Sequence, residues 1–493
     1  MATRPTSAQY RSRRTALLVL CAGILMIILD GTIVNVALPS IQRDLHFSQS
    51  GLTWVVNSYL IAFGSLLLLA GRLGDRFGSK RIFVIGLAVF TAASALCGLA
   101  DDPALLIAAR FVQGASGALA SAVGLGMIVT LFPEPREQAK AIGAYSFVGS
   151  AGASIGVIGG GVLTQVLTWH WIFFVNLPIG AVAAFFAVRV LESPDRTEPR
   201  AEKASQGNDS LGSLLVTAAL MIAVYTIVKA ADYGWGSART LGLGAVAIVL
   251  LGGFVVREHY AAHPLLPLRI LRSRTVAGAN LVQALMVAAM IGFQFLFALY
   301  LQQVLGFDAM RTGLGFLPIT IAIGVLSLLL SARLNARFGV RRVLMTSLVF
   351  LGAGLAALTQ VSAHADYFTD LMPILVLLGV GAGMALPAVT TLAMSDATPA
   401  DSGLVSGLAN TTQQVGGALG LAVLSTLATE RSGRLGAQGA AARDALTGGF
   451  HLAFGVGAGL MAVAFVLSAR SLRSDAESIS LPMSAQPAPS ALR

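Results

Sequence analysis

The chain has 493 residues, 56% of them hydrophobic and only 11% charged, with a mean hydropathy of +0.78. That composition excludes an ordinary soluble domain and puts the chain in a bilayer. The formal net charge of +10 calls for no nucleic-acid partner, because basic loops lying against anionic lipid headgroups account for it.

A helix needs roughly 20 apolar residues to cross the hydrocarbon, and segments of about that length recur down the chain, cut by short loops bearing Arg, Pro or Asp. In order, the predicted spans are 15–38, 54–70, 82–100, 105–132, 139–163, 171–191, 211–228, 241–256, 276–305, 314–332, 343–361, 371–394, 404–428 and 450–469, fourteen in all. The first has an apolar run too long for a signal peptide, interrupted by polar residues, and no small-residue cleavage site precedes Pro39; it is expected to stay in the membrane. A charged linker, "ESPDRTEPRAEKASQGNDS", follows the sixth span. The tail 471–493 is rich in Ser, Pro and Ala without a periodic apolar face, which predicts disorder. Cys21 and Cys97 fall within spans, near opposite membrane faces, and are expected to be unbridged.

With the N-terminus inside, 25 of the 33 Lys and Arg residues fall on the cytoplasmic side and 7 outside, Arg110 being within a span. This asymmetry predicts cytoplasmic termini. Arg outnumbers Lys and Ala and Gly are abundant, a composition that suggests a GC-rich bacterial genome, so the expected location is a bacterial cytoplasmic membrane.

Self-comparison finds an internal repeat. "GRLGDRFGSKR", 71–81, aligns without gaps on "ARLNARFGVRR", 332–342, at an offset of 261 residues. The same offset carries spans one to six onto nine to fourteen and leaves the seventh and eighth unmatched. The predicted organisation is a six-helix bundle over 1–191, a linker and two-helix insert over 192–275, a second six-helix bundle over 276–470 and the tail 471–493. Parallel repeats of this kind build transporters whose binding site lies near the midplane between the halves.

Of the 23 acids, only Asp30 sits deep within a span, inside "ILMIILDGTIVNVALP". At ~1.5 Å per residue it lies about 22 Å from the start of its span, and Arg110, the one cation well within a span, reaches a comparable depth from the opposite direction. Intramembrane acids are functional by default, and an acid whose water access and Arg contact change with conformation can load a proton on one side and release it on the other. Asp30 is therefore the expected proton-coupling carboxylate, with Arg110 its partner. A static ion pair, or a hydrogen bond to Thr32 or Asn35 that only fixes helix packing, is the alternative. In the fifth span Gly149, Gly152, Gly156 and Gly160 recur at spacings of 3, 4 and 4, a face that admits close helix approach. Polar or aromatic groups at middle depth, Tyr59, Gln113, Phe293, Gln294, Phe297, Asn410 and Gln414, are the candidate substrate-cavity residues. The offset takes Asp30 to Ile291, so no second buried acid faces it, and neutral or monocationic amphiphiles fit better than divalent cations.

Six stretches in register, "LDGTIVNVALPSIQRDL", "GRLGDRFGSKR", "RFVQGASGALASA", "WHWIFFVNLPIG", "YLQQVLGFDAMRTGLGFLP" and "GLANTTQQVGGALG", resemble the major facilitator superfamily, and within it the fourteen-spanning drug:proton antiporters. The resemblance covers nearly the whole chain. It implies an all-α membrane protein of the major facilitator fold and proton-driven export of small hydrophobic compounds; dedicated export of one native lipid, siderophore or antibiotic, or uncoupled facilitation, is the alternative. It also implies that Gly71, Arg72, Asp75, Arg76, Gly78, Lys80 and Arg81 form the family's conformational latch, and that the glycines of the fifth span form its antiporter motif. Two positions depart from the pattern: Val157 stands where the family has proline, and His170 where it has arginine between two tryptophans. In the second copy of the latch Asp75 becomes Ala336, so an asymmetric latch is expected.

Enzymatic readings fail. "GASIG", 152–156, matches a nucleophile elbow but lies within a span rather than on a strand–turn–helix. His259 and His263 lack a third metal ligand. No lysine follows a glycine as a Walker A motif requires. The expected protein is not an enzyme, carries no cofactor beyond the coupling proton, binds no nucleic acid, and acts as a monomer on a small-molecule substrate among membrane lipids.

Overall fold

A computed structural model describes residues 7–132, 134–191, 210–261, 273–393 and 402–471. The side chains of some further helical residues, Arg72, Asp75 and Arg76 of the predicted latch among them, lie outside the described residues, as do the surroundings of Gly149, the linker 192–209 and the tail from 472 onward. Everything described is helix or short connection, without a strand. Within hydrocarbon no water can bond a bare backbone group, and a helix satisfies its own.

The first half comprises α1 (Ser7–Asp44), α2 (Gln49–Phe77), α3 (Ser79–Gly98), α4 (Pro103–Leu131), α5 (Pro135–Val166), α6 (Trp171–Phe174) and α7 (Asn176–Val190). The insert contributes α8 (Ser210–Tyr233) and α9 (Ala238–Tyr260). The second half begins with α10 (Arg274–Leu299), followed by a π turn, Tyr300–Val304. Then come α11 (Ala309–Gly315), α12 (Leu317–Val325), a second π turn, Leu326–Leu330, and α13 (Ser331–Phe338). It closes with α14 (Val340–Leu358), a third π turn, Tyr367–Leu371, α15 (Met372–Ala393), α16 (Ser402–Ala437) and α17 (Ala442–Ser471).

Boundaries follow local chemistry. Asp102 caps α4, its carboxylate accepting from the backbone N–H groups of Ala104 and Leu105, with Pro103 entering the first turn as its fixed φ allows. The break between α6 and α7 precedes Pro178, which has no N–H to return to the Phe174 carbonyl. Gly78 separates α2 from α3 at φ 98°, and Gly339, its counterpart at the offset of 261, separates α13 from α14 at φ 85°. Both need a residue without Cβ.

Fourteen spans are expected from the sequence, whereas nine helices among the described residues are long and apolar enough to cross a membrane. Shorter apolar stretches, 51–64, 155–166, 214–230 and 309–325, occupy the second, fifth, seventh and tenth predicted spans. In α16, which holds the thirteenth predicted span, the run 410–414 is polar. The tenth span, predicted as one segment, is divided into α11, α12, a π turn and α13, with Pro318 opening α12.

The two halves pack by one scheme. In the first, α1 lies on α5 and α7, α2 on α4, and α3 on α4 and α7; in the second, α10 lies on α16 and α17, α12 on α15, and α14 on α15 and α17. The halves meet along two seams, α2 against α16 and α5 against α11, and the repeat exchanges these two seams. Helix α8 lies along the first, against both α2 and α16. Helix α9 has 11% of its apolar window buried and shows Ile248 and Val249 at the surface, a face suited to lipid. At the end of the bundle carrying the α1–α2 turn, Gln303 Nε2 donates to Gln42 Oε1 at 3.0 Å and Gln302 Nε2 to the Val36 carbonyl at 2.9 Å. Gln42 and Gln303 are themselves 261 residues apart, so each meets its own image across the pseudo-twofold axis.

Candidate functional site: a buried ion pair inside the first half

Asp30 and Arg110 meet. Asp30, on α1, is 0% exposed, and its Oδ2 lies 2.5 Å from Nη1 of Arg110, which is 1% exposed. Helices α2, α3, α4 and α7 surround the pair. Gln113, one helical turn beyond Arg110, donates from Nε2 to Asp30 Oδ1 at 2.8 Å, and its Oε1 accepts from Arg110 Nη1 at 2.7 Å. Asn176, the first residue of α7, donates from Nδ2 to Asp30 Oδ1 at 3.0 Å and to Ser94 Oγ at 2.9 Å. Ser94 also accepts from Gln113 at 2.9 Å and donates to the Phe173 carbonyl at 3.1 Å, beside the α6–α7 break.

The guanidinium is held from the far side as well. Its Nε donates to the Val55 carbonyl at 3.0 Å, and its carbon sits 4.3 Å from the centroid of the Tyr59 ring, a cation–π distance. Gly114 brings α4 against α2 there, for a Cβ at that position would strike the Tyr59 carbonyl. Tyr59 in turn donates to the Ile27 carbonyl at 3.4 Å. Burial costs several kcal/mol per ion, and these hydrogen bonds offset part of that cost. Thr32 and Asn35 do not bond Asp30; both bond backbone carbonyls of their own helix.

The predicted cavity residues divide. Tyr59 and Gln113 belong to the ion-pair network. Phe293 and Phe297 stack at 5.3 Å, Phe293 facing Phe454 and Phe297 facing Phe316, and both are buried in the aromatic core of the second half. Gln294 and Gln414 are partly exposed and Asn410 is exposed; Gln414 lies on the seam, against Gly64 of α2. None of the seven lines the cleft of about 570 Å³ at the α1–α2 turn end, whose walls include Gln42, Thr164, Gln165, Gln302 and Gln303.

Three of the fifth-span glycines seat α5 on α1: a Cβ at Gly152 would meet Leu25, at Gly156 the Leu29 carbonyl and Thr32, and at Gly160 the Ile33 carbonyl. Helix α5 runs unbroken through Val157. In the predicted latch, Gly71 has open space around it and Arg81 is exposed. Lys80 Nζ donates to the Val188 carbonyl at 2.8 Å near the C-terminal end of α7, where a cation also meets the negative end of the helix dipole. Its repeat counterpart Arg341 donates to the Ala469 carbonyl near the end of α17. That symmetric contact, like Ser94 and Asn176, is missed by the sequence reading. Asn57 is missed too; it is fully buried with both amide atoms unpaired. Glu258, expected near a span end, is 3% exposed at the end of α9. His259 stands edge-on to Tyr260, and His263 lies outside the described residues. Both cysteines are free.

The Major Facilitator Superfamily profile matches residues 20–421. The chain belongs to the major facilitator superfamily. It is a multi-pass membrane transporter and not an enzyme. Among similar superfamily members, the puromycin resistance protein of Streptomyces alboniger is 38% identical over 92% of this chain and 90% of its own. The tetracenomycin C resistance and export protein of Streptomyces glaucescens is 36% identical, covering 85% of this chain and 76% of its own. A crystal structure of an auto-inhibited peptide transporter of the POT family has a TM-score of 0.67 at 17% identity, over 94% of this chain and 98% of that one, which shows the shared fold.

Proposed function

We propose that this transporter is a proton-coupled exporter of small hydrophobic or monocationic compounds, antibiotics among them, working by alternating access in a bacterial cytoplasmic membrane with both termini inside. The observation that carries the reading is the Asp30–Arg110 pair, a titratable carboxylate and its counter-charge sealed in apolar helices. Such a pair is costly to build and gains a use when a second arrangement opens it to water. The antibiotic resistance and export names of relatives at 38% and 36% identity support the substrate class, and Ile291 opposite Asp30 in the repeat argues against dications. Fourteen crossings, arranged as bundles over 1–191 and 276–470 with an insert over 192–275, agree with the matched packing of the halves. On this reading the exporter acts as a monomer without a cofactor; of the cavity positions, Tyr59 and Gln113 lie at the pair and Gln414 on the seam.

The test is reconstitution in vesicles with an imposed pH gradient and a panel of lipophilic dyes and antibiotics. Intact protein is expected to accumulate substrate against its gradient, and Asp30→Asn to lose the pH-driven component. Accumulation by Asp30→Asn that still follows the pH gradient would sink the coupling role. One observation favours an uncoupled facilitator instead, the unbroken α5 at Val157; that reading predicts downhill flux indifferent to the gradient in both proteins.

A further inference from the structure

Two amides hold the Asp30 carboxylate, and they differ in freedom. Gln113 is fixed at both ends: its Oε1 accepts from Arg110 and receives Cys97 Sγ at 3.6 Å, while its Nε2 donates to Asp30 and Ser94. Turning it over would set an NH2 group against a guanidinium. Asn176 is held at one end only. Both of its bonds leave from Nδ2, to Asp30 Oδ1 and Ser94 Oγ, and its Oδ1 is buried with no partner, in a residue 0% exposed. A buried acceptor left idle is a cost the native state carries without return.

Resting on the reading of Asp30 as the coupling acid, we propose that Asn176 is a positioning residue that holds Asp30 in both protonation states by inverting its side-chain amide when the carboxyl takes up a proton. After inversion Oδ1 occupies the place of Nδ2. There it accepts the new O–H on Asp30 Oδ1 and the Ser94 hydroxyl, whose hydrogen leaves the Phe173 carbonyl. The protonated Oδ1 still accepts from Gln113, and Oδ2 still accepts from Arg110. Arg110 keeps the Val55 carbonyl, Gln113 Oε1 and the Tyr59 face. One proton arrives and stays on Asp30, and only hydrogen bonds are exchanged. Arg110, Tyr59 and Cys97 are the titratable groups facing Asp30 among the described residues. The pair can therefore carry a proton without first separating: the idle acceptor takes the new O–H, and the unpartnered place passes from Asn176 Oδ1 to its Nδ2.

Infrared difference spectra of the purified full chain, acid minus alkaline, test this. A carboxylic C=O band that disappears in Asp30→Asn belongs to protonated Asp30. If Asn176 accepts its O–H, Asn176→Leu moves that band to higher wavenumber, as expected for a carboxyl that has lost its acceptor, and Asn176→Ser, which keeps an acceptor, moves it less. Should the leucine variant not fold, Asn176→Ala gives the same reading. An Asp30-dependent band that stays in place in the leucine or alanine variant overturns the role of Asn176 and leaves the coupling acid intact. The absence of any Asp30-dependent band at any pH overturns the coupling reading, and this inference with it.

Discussion

Arg110→Met is the most informative single change, because it strands a carboxylate. The methionine keeps much of the arginine stem's volume but removes the charge, leaving Asp30 at 0% exposure with two neutral amide donors in place of a guanidinium at 2.5 Å. Removing one member of a buried pair costs about 3–5 kcal/mol, most of it the unpaid desolvation of the remaining charge. Asp30→Asn should cost less: Arg110 keeps the Val55 carbonyl, Gln113 Oε1 and the Tyr59 ring, and the substituted amide still offers it an oxygen. Combining the two removes both charges, so the double variant should regain at least ~2 kcal/mol of the loss in Arg110→Met. The assay is denaturant unfolding of detergent-purified protein, followed through tryptophan fluorescence in all three variants. Additive losses, with the double variant less stable than either single one, would show that the two side chains do not form one electrostatic unit.

Three further outcomes follow from other contacts. Gly160→Leu forces α5 away from the Ile33 carbonyl on α1 and should cost ~1–3 kcal/mol and abolish transport; wild-type stability in the same unfolding assay would contradict the seating of these helices. Gln42→Glu combined with Gln303→Glu sets two carboxylates where an amide pair now meets at 3.0 Å, a repulsion of about 4 kcal/mol at 4 Å with an effective dielectric of 20. The double variant, unlike either single one, should raise the reactivity of a Thr164→Cys reporter in the adjoining cleft toward a water-soluble maleimide; unchanged labelling would mean that this contact does not close the mouth. Burial against Trp169 pushes the His170 imidazole below its ordinary value of 6.5, with the nearby Asp44 carboxylate working the other way. A lowered folded value favours the neutral ring. Its contribution to stability is complete above pH 6.5 and drains away as pH falls through the folded value, so His170→Gln should flatten the acid limb of the melting-temperature profile. An acid limb of unchanged slope would assign it to other groups.

The Asp30–Arg110 meeting was legible because depth along a helix follows from residue counting, and two rare charges at matching depth in one half have few other partners. The repeat was legible in eleven consecutive residues, 71–81 and 332–342. Ser94 and Asn176 were not, because a serine or asparagine in an apolar run reads the same whether it bonds its own helix, as Asn35 does, or an ion pair on another. Helix rotation decides between these, and packing sets the rotation. The one local signal at Asn176 was Pro178 two residues on, which breaks the helix beside it. The division of the tenth span was hidden for a similar reason: a π turn inserts one residue into a helix to suit its neighbours, and composition carries no trace of that. The matched grip of Lys80 and Arg341 on the ends of α7 and α17 lay within the aligned repeat, but nothing in the alignment names a carbonyl more than a hundred residues away.

The amide pair at 42 and 303 has a counterpart in what the second half lacks. Away from the axis, each copy answers to different neighbours, and one can hold an acid at 30 while the other holds isoleucine at 291. On the axis a residue's neighbour is its own twin, so a donor in one copy has to find an acceptor in the other, and glutamine, which is both, serves from either side. Specialisation is thus free to run through the interior of each half, while the line where they touch keeps them alike.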